Sequence, residues 1–220
     1  MYNLKFDLAL LGEENVVYKD VNIDFNYGDI INIIGETGCG KSTFYKMLMG
    51  RVKPASGIIS STITNNTVVV SDYVSVPKEV LIKDIFCFIG IGKISYVKRI
   101  FPEIYNYISE IKDKEVGNLS TGERRILEIF CALSTKKNIL ILDEASNGLD
   151  SKNRNVLTDK LRLLAKQNDI VIFNTTHYIE DALALGGKIY IMNKEKALFK
   201  KYTGNYNVND ISNYINGGVV

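Results

Sequence analysis

Ile30-Ile31-Asn32-Ile33-Ile34-Gly35-Glu36-Thr37-Gly38-Cys39-Gly40-Lys41-Ser42-Thr43 reads as a short buried strand, a glycine-rich loop and the first turn of a helix. Residues 35–42 fit the spacing G-x-x-x-x-G-K-[ST], in the strand-then-helix context that the spacing requires. Glycines let successive backbone N–H groups aim inward, and a helix starting near Lys41 adds its positive end, so the loop predicts a polyphosphate site. Lys41 is expected to reach the β- and γ-phosphates of a nucleoside triphosphate, Ser42 to place its hydroxyl on Mg²⁺, and Thr43 to lie on the α-phosphate side. A glycine turn without a ligand would account for Gly35 and Gly38, but not for Lys-Ser in register at the helix start.

On the N-terminal side, Leu4 to Leu11 and Val16 to Phe25 alternate apolar and polar residues and predict antiparallel strands. On the C-terminal side, the helix runs to about Met49, and Pro54 and Gly57 break the chain before a strand-rich region ending near Val76-Pro77. From Leu81 to about Lys112 the spacing turns helical, and a further helix is expected after Ser120. Then come a buried strand Ile139–Leu142, a helix from about Lys152 to Lys166, a second buried strand from Asp169 to Phe173, and a hairpin over Lys188 to Phe199. Alternation of strands and helices predicts one α/β domain, residues 1–220, around a mostly parallel sheet. An antiparallel β layer opens it, and residues 81–133 form a small α-helical subdomain. The Asn-rich stretch from Asn205 to Val220 has weak periodicity and is expected to be loosely held.

Asp143 and Glu144 follow four aliphatic residues at a strand end. In a chain with a phosphate loop, that position suits a metal-binding carboxylate and a water-activating one. Asp143 would act on Mg²⁺ and Glu144 on the attacking water; two solvated acids at a strand end are the plain alternative. His177, the one histidine in the chain, follows the second buried strand through Asn174-Thr175-Thr176 and could orient the γ-phosphate, or could be an ordinary surface or core residue.

The net charge of +2 does not point to a nucleic-acid partner, and no stretch approaches the roughly 20 apolar residues that span a bilayer. Without a signal-peptide layout at the start, a cytoplasmic location is expected. Cys39, Cys87 and Cys131 fit neither a disulfide framework nor a zinc cluster and read as free thiols. A helix N-terminus could lower the Cys39 pKa and make it redox-sensitive, although a small side chain at a tolerant loop position explains it equally well.

Leu119-Ser120-Thr121-Gly122-Glu123 resembles the signature loop, usually Leu-Ser-Gly-Gly-Gln, of the ATP-binding cassette (ABC) ATPases of membrane transporters. Val17-Tyr18-Lys19-Asp20-Val21, Pro54-Ala55-Ser56-Gly57 and Ser146-Asn147-Gly148-Leu149-Asp150 extend the resemblance over nearly the whole chain. His177 matches the family's switch histidine. The resemblance implies a P-loop cassette with ATP and Mg²⁺ as ligands and Glu144 and His177 as catalytic residues. Ser42 and Asp143 would lie at the metal. Gly35, Glu36, Thr37, Gly38, Cys39, Gly40, Lys41, Ser42 and Thr43 would hold the nucleotide with Ser120, Thr121, Gly122 and Asp150. It also implies a second cassette, homo- or heterodimeric, whose signature loop completes each site, and separate transmembrane permease subunits that keep the chain on the inner face of the cell membrane.

By itself, Leu119–Glu123 reads equally as a helix cap. The sequence also departs from the family pattern. The sensing glutamine is absent, since the one glutamine is Gln167, and Lys78 most nearly occupies its place. No aromatic residue for base stacking lies near Leu10 or Leu11, and Tyr18 is the nearest downstream, at a position that is apolar core in the family. Phe86, Phe88, Ile91 and Tyr96 supply apolar surface for core or for a partner groove. The expected function is the ATPase subunit of a membrane transporter. The alternatives are a cassette acting on DNA or ribosomes, or a slow-turnover regulatory or immunity subunit.

Overall fold

The computed structural model describes residues 2–10, 15–71, 76–166 and 170–216. Strands β1 (Tyr2–Ala9) and β2 (Val16–Phe25) pair antiparallel, and after β3 (Ile30–Ile34) and helix α1 (Lys41–Leu48) the two-residue β4 (Ser56–Gly57) joins them in a three-stranded sheet. A short helix α2 (Ser61–Asn65) precedes β5 (Thr67–Val70). The region expected to be strand-rich thus carries a helical turn, held by Asn66 Nδ2 on the Thr62 carbonyl and by the Thr67 hydroxyl on the Ile63 carbonyl.

Helices α3 (Ile82–Ile89), α4 (Ile91–Ile100), α5 (Pro102–Glu110) and α6 (Thr121–Leu133) occupy the predicted helical region. Beyond it the chain runs β6 (Ile139–Asp143), α7 (Ser151–Lys166), β7 (Val171–Thr176), α8 (Ile179–Leu185), β8 (Lys188–Asn193), β9 (Leu198–Lys201) and α9 (Val208–Asn216). The main sheet has the order β5-β6-β7-β3-β8-β9, with β9 alone antiparallel. Asp169, where the second buried strand was expected to begin, lies outside the described residues. That strand continues past Phe173 through three buried polar residues.

Strand periodicity of two sorts the core. Ile31, Ile33, Ile139, Ile141, Val171 and Phe173 point toward the antiparallel layer and α1. Leu140, Leu142, Ile170 and Ile172 face the opposite side, against α6, α7 and the helices before them. With both faces covered, these strands are largely apolar on both sides; the buried Asn32 of β3 is satisfied by the Gly186 carbonyl and by Asn174 of β7.

The expectation of a loosely held tail does not fit Val208–Asn216. Ile211 is fully buried and Tyr214 and Ile215 pack beside it, an i, i+3, i+4 stripe seated against α8 and β8. Asn193 and Lys196 both donate to the Ile215 carbonyl at the helix end. Residues 217–220 lie outside the described residues. No helix among the described residues is long and apolar enough to cross a membrane.

Candidate nucleotide site

The register of the main sheet brings three strand ends to one height. Ile34 pairs with Thr176, and Thr175 pairs with Asp143, so the phosphate loop, the carboxylates and His177 leave the carboxyl ends of adjacent parallel strands. Ligands of open α/β sheets collect in such a crevice.

Within the loop, Gly35 donates its N–H to the Thr176 carbonyl at 3.2 Å. A Cβ at Gly35 would lie 2.4 Å from the Met192 carbonyl oxygen, so no larger residue fits without moving β8. Gly38 and Gly40 have φ of 82° and 113°, the left-handed region where a side chain is strained. The chain turns through them into α1, whose first bond runs from Phe44 N–H to the Gly40 carbonyl at 2.9 Å. Lys41 is 5% exposed, and its ammonium donates to the carbonyls of Gly35 at 2.6 Å and Glu36 at 3.0 Å. Glu36, Thr37, Gly38 and Ser42 are exposed; Thr43 is buried.

Cys39 corrects an expectation. It is buried, and burial raises its thiol pKa against the lowering charge of Lys41, so the helix terminus does not create a reactive thiolate. Tyr18 is also resolved as core. It is fully buried, donates to the Cys39 carbonyl at 2.5 Å and meets the Phe199 ring edge-on.

Asp143 is held by the Thr175 hydroxyl at 2.6 Å. Burial raises its carboxyl pKa, opposed by hydrogen bonds from Thr175 and Tyr45. Glu144 leaves the strand with φ of 52° while its N–H stays on the Thr175 carbonyl at 2.9 Å. A left-handed glutamate is uncommon, and such conformations cluster at functional sites. Its Oε1 lies 3.6 Å from Lys41 Nζ and 3.5 Å from His177 Nδ1, and its Oε2 accepts from Asn147 Nδ2 at 2.5 Å. Lys41, Glu144 and His177 are thus brought together. Thr175, Tyr45 and Asn147 were not anticipated; the polar run closing an apolar strand at Asn174-Thr175-Thr176 is the signal that marks Thr175.

Ser120, Thr121 and Gly122 open α6. Ser120 Oγ accepts from Glu123 N–H at 3.2 Å, and Ser120 N–H donates to Glu123 Oε2 at 2.9 Å, a reciprocal capping box. Lys114 holds the other Glu123 oxygen at 2.8 Å. Asp150, expected at the nucleotide, caps α7 through Asn153, accepting its N–H at 2.8 Å and its amide at 3.0 Å. A Cβ on Gly122 would lie 2.9 Å from Asn153 Cγ, so the start of α6 rests directly on the start of α7. Lys78 is exposed, and its carbonyl accepts from Gly117 N–H at 2.7 Å.

The family model described as ABC transporter matches residues 18–147, more than half of the chain. The chain belongs to the ABC transporter family. The cassette is similar to the molybdate import ATP-binding protein MolC of Haemophilus influenzae, 26% identical over 84% of this chain and 76% of that protein. It is 29% identical to the energy-coupling factor transporter ATP-binding protein of Caldanaerobacter subterraneus subsp. tengcongensis, over 82% and 70%. With the spermidine/putrescine import ATP-binding protein of Fusobacterium nucleatum it shares 29% identity and spans about half of that protein's length, 52%. Among solved structures, a metal-chelate type ABC transporter in an inward-facing conformation superposes with a TM-score of 0.76 at 25% identity, covering 93% of this chain and 82% of that one. The fold is that of the ABC cassette, and the cassette is the ATP-binding ATPase component that powers a transporter. Relatives of this kind do not favour the DNA, ribosomal or regulatory alternatives.

Proposed function

We propose that two such cassettes close head to tail on ATP, each nucleotide held by residues 35–43 of one chain and by Ser120, Thr121 and Gly122 of the other. The observation that carries this reading is the convergence of Lys41, Glu144 and His177 on one crevice, beside a loop that turns through left-handed Gly38 and Gly40 into α1. Ser42 and Asp143 are a hydroxyl and a carboxylate of the hard-oxygen type that suits Mg²⁺, which keeps most of its coordination for phosphate and water. Asp143 is supported from behind by Thr175, as a metal-facing carboxylate needs. Bound there, Mg²⁺ would neutralise phosphate charge. Glu144 takes the proton of the attacking water, and His177 faces the γ-phosphate. Asp150 positions the start of α7 at the cassette interface.

The permease would dock on a cleft of about 700 Å³ lined by Val76, Pro77, Val80, Ile85, Phe88 and Ile89. Phe88 is 94% exposed at its edge, where a large apolar side chain gains from a partner helix. On this reading the cassette sits on the inner face of the membrane, and the import systems named for two of the relatives favour uptake. The test is purification from detergent-solubilised membranes. The chain is expected to bring a polytopic membrane protein with it, whereas purification with ribosomes or DNA and no membrane protein would overturn the reading. Phe88→Glu should reduce that association at least about tenfold, by loss of roughly 1.5–3 kcal/mol of apolar burial, while the isolated cassette keeps its ATP affinity.

Lys78 gives a second, smaller expectation. A protonated lysine does not ligate a metal ion as glutamine does, so Lys78→Gln should raise steady-state turnover several-fold. Equal rates for the two proteins would show that Lys78 does not limit hydrolysis.

A further inference from the structure

We infer that Asn147 is the positioning residue for Glu144, fixing which carboxylate oxygen faces the attacking water; this rests on the assignment of Glu144 as the water-activating group. A glutamate has three side-chain torsions, and its left-handed backbone sets only the direction in which it starts. Without nucleotide, Oε1 lies near Lys41 and His177. A polyphosphate that draws Lys41 away leaves the 2.5 Å bond from Asn147 Nδ2 to Oε2 as the short contact on the carboxylate. That bond occupies Oε2 and leaves Oε1 to accept the water proton. The water oxygen then bonds to the γ-phosphorus as the bond to ADP breaks.

The turn that carries Asn147 is well anchored. Asn147 N–H donates to the Glu144 carbonyl at 3.0 Å, closing the turn. The buried Arg125 donates Nε to the Ala145 carbonyl at 3.1 Å from α6. The Ser146 hydroxyl bonds Asp181 on α8, and Arg154 of α7 pairs with the same carboxylate at 3.0 Å. Three helices therefore hold the donor, which is the arrangement a positioning residue needs. A flexible loop donor would not restrict the glutamate.

Asn147→Asp separates this role from a merely structural one. Aspartate is nearly isosteric and equally suited to a turn, but it replaces the N–H donor with a second carboxylate facing Glu144. Turnover is expected to fall at least about tenfold, the scale of one hydrogen bond to a charged group, with the ATP KM within about twofold and thermal stability near the parent's. Asn147→Ala, which removes the donor without adding charge, should show the same split with a smaller drop. In a Glu144→Gln background, Asn147→Asp should not lower the residual turnover further. Parent-like turnover in both Asn147 variants, with Glu144→Gln inactive, would overturn the inference and leave Glu144 in place. Parent-like turnover in Glu144→Gln would instead remove Glu144 from the reaction, and the role of Asn147 with it.

Discussion

Glu144→Gln is expected to yield a cassette that binds ATP, closes into a stable dimer and releases phosphate at least about a hundredfold more slowly than the parent, the lower end of what a positioned general base contributes. The amide has the shape of the carboxylate, and its oxygen can still accept from Asn147 Nδ2, so the turn after β6 should persist. What is lost is the basic oxygen proposed to take the water proton. The substitution also removes a negative charge that lies 3.6 Å from Lys41 and beside the phosphate crevice. With that charge gone, ATP competes with no internal anion for the ammonium, and the closed dimer should last long enough to elute as one species in ATP-containing buffer. Phosphate release and size-exclusion chromatography with ATP together decide the matter. Undiminished hydrolysis would mean that the water is activated elsewhere.

Lys41→Met should weaken nucleotide binding rather than turnover alone. The side chain is buried, and its ammonium is already in place at the mouth of the loop, bridging the Gly35 and Glu36 carbonyls. Methionine keeps the aliphatic stem and its packing while deleting the charge. One preorganised cationic donor to a developing or resident phosphate charge is worth about 10²–10³-fold, so ATP affinity should fall by about that factor in a titration with a fluorescent analogue. The two loop carbonyls also lose their partner, which predicts a modest drop in melting temperature without nucleotide. Affinity equal to the parent's would show that the loop's N–H groups suffice.

Much of this architecture is legible from local signals. Ile30–Ile34, Asn32 apart, and Ile139–Leu142 are apolar because both faces of the central sheet are covered, and each is followed by residues that a strand interior disfavours, glycine in one case and acids in the other. The short elements are not legible. Helices α2 and α8 span five and seven residues, too few for a 3.6-residue period to stand out, and side-chain bonds and packing hold them in place. The helix in the Asn-rich end is not legible because its anchors, Asn193 and Lys196, come from the end of β8 and the turn after it. The same limit applies to Cys39, where the loop spacing indicates a helix terminus but not the burial that raises the thiol pKa. Asn147 and Tyr45 were missed for a related reason. Their partners, Glu144 and Asp143, become neighbours only through the turn after β6 and the placement of α1.

The order of strands in the main sheet also bears on how the cassette is made. β3 lies between β7 and β8, which follow it by well over a hundred residues, and neither neighbour exists when β3 leaves the ribosome. Its apolar residues and the loop behind them must therefore wait unpaired, since the strands that flank them are synthesised more than a hundred residues later. Pairings this distant in sequence are slow to form and expose aggregation-prone edges meanwhile. The antiparallel β1–β2 pair, close in sequence and made before β3, can form early and later cover β3 on one face. The candidate crevice is consequently completed only after β7 has been made, and a nascent chain stalled before Val171 would carry the phosphate loop without the strand that supplies Thr175 and Thr176 and leads into His177.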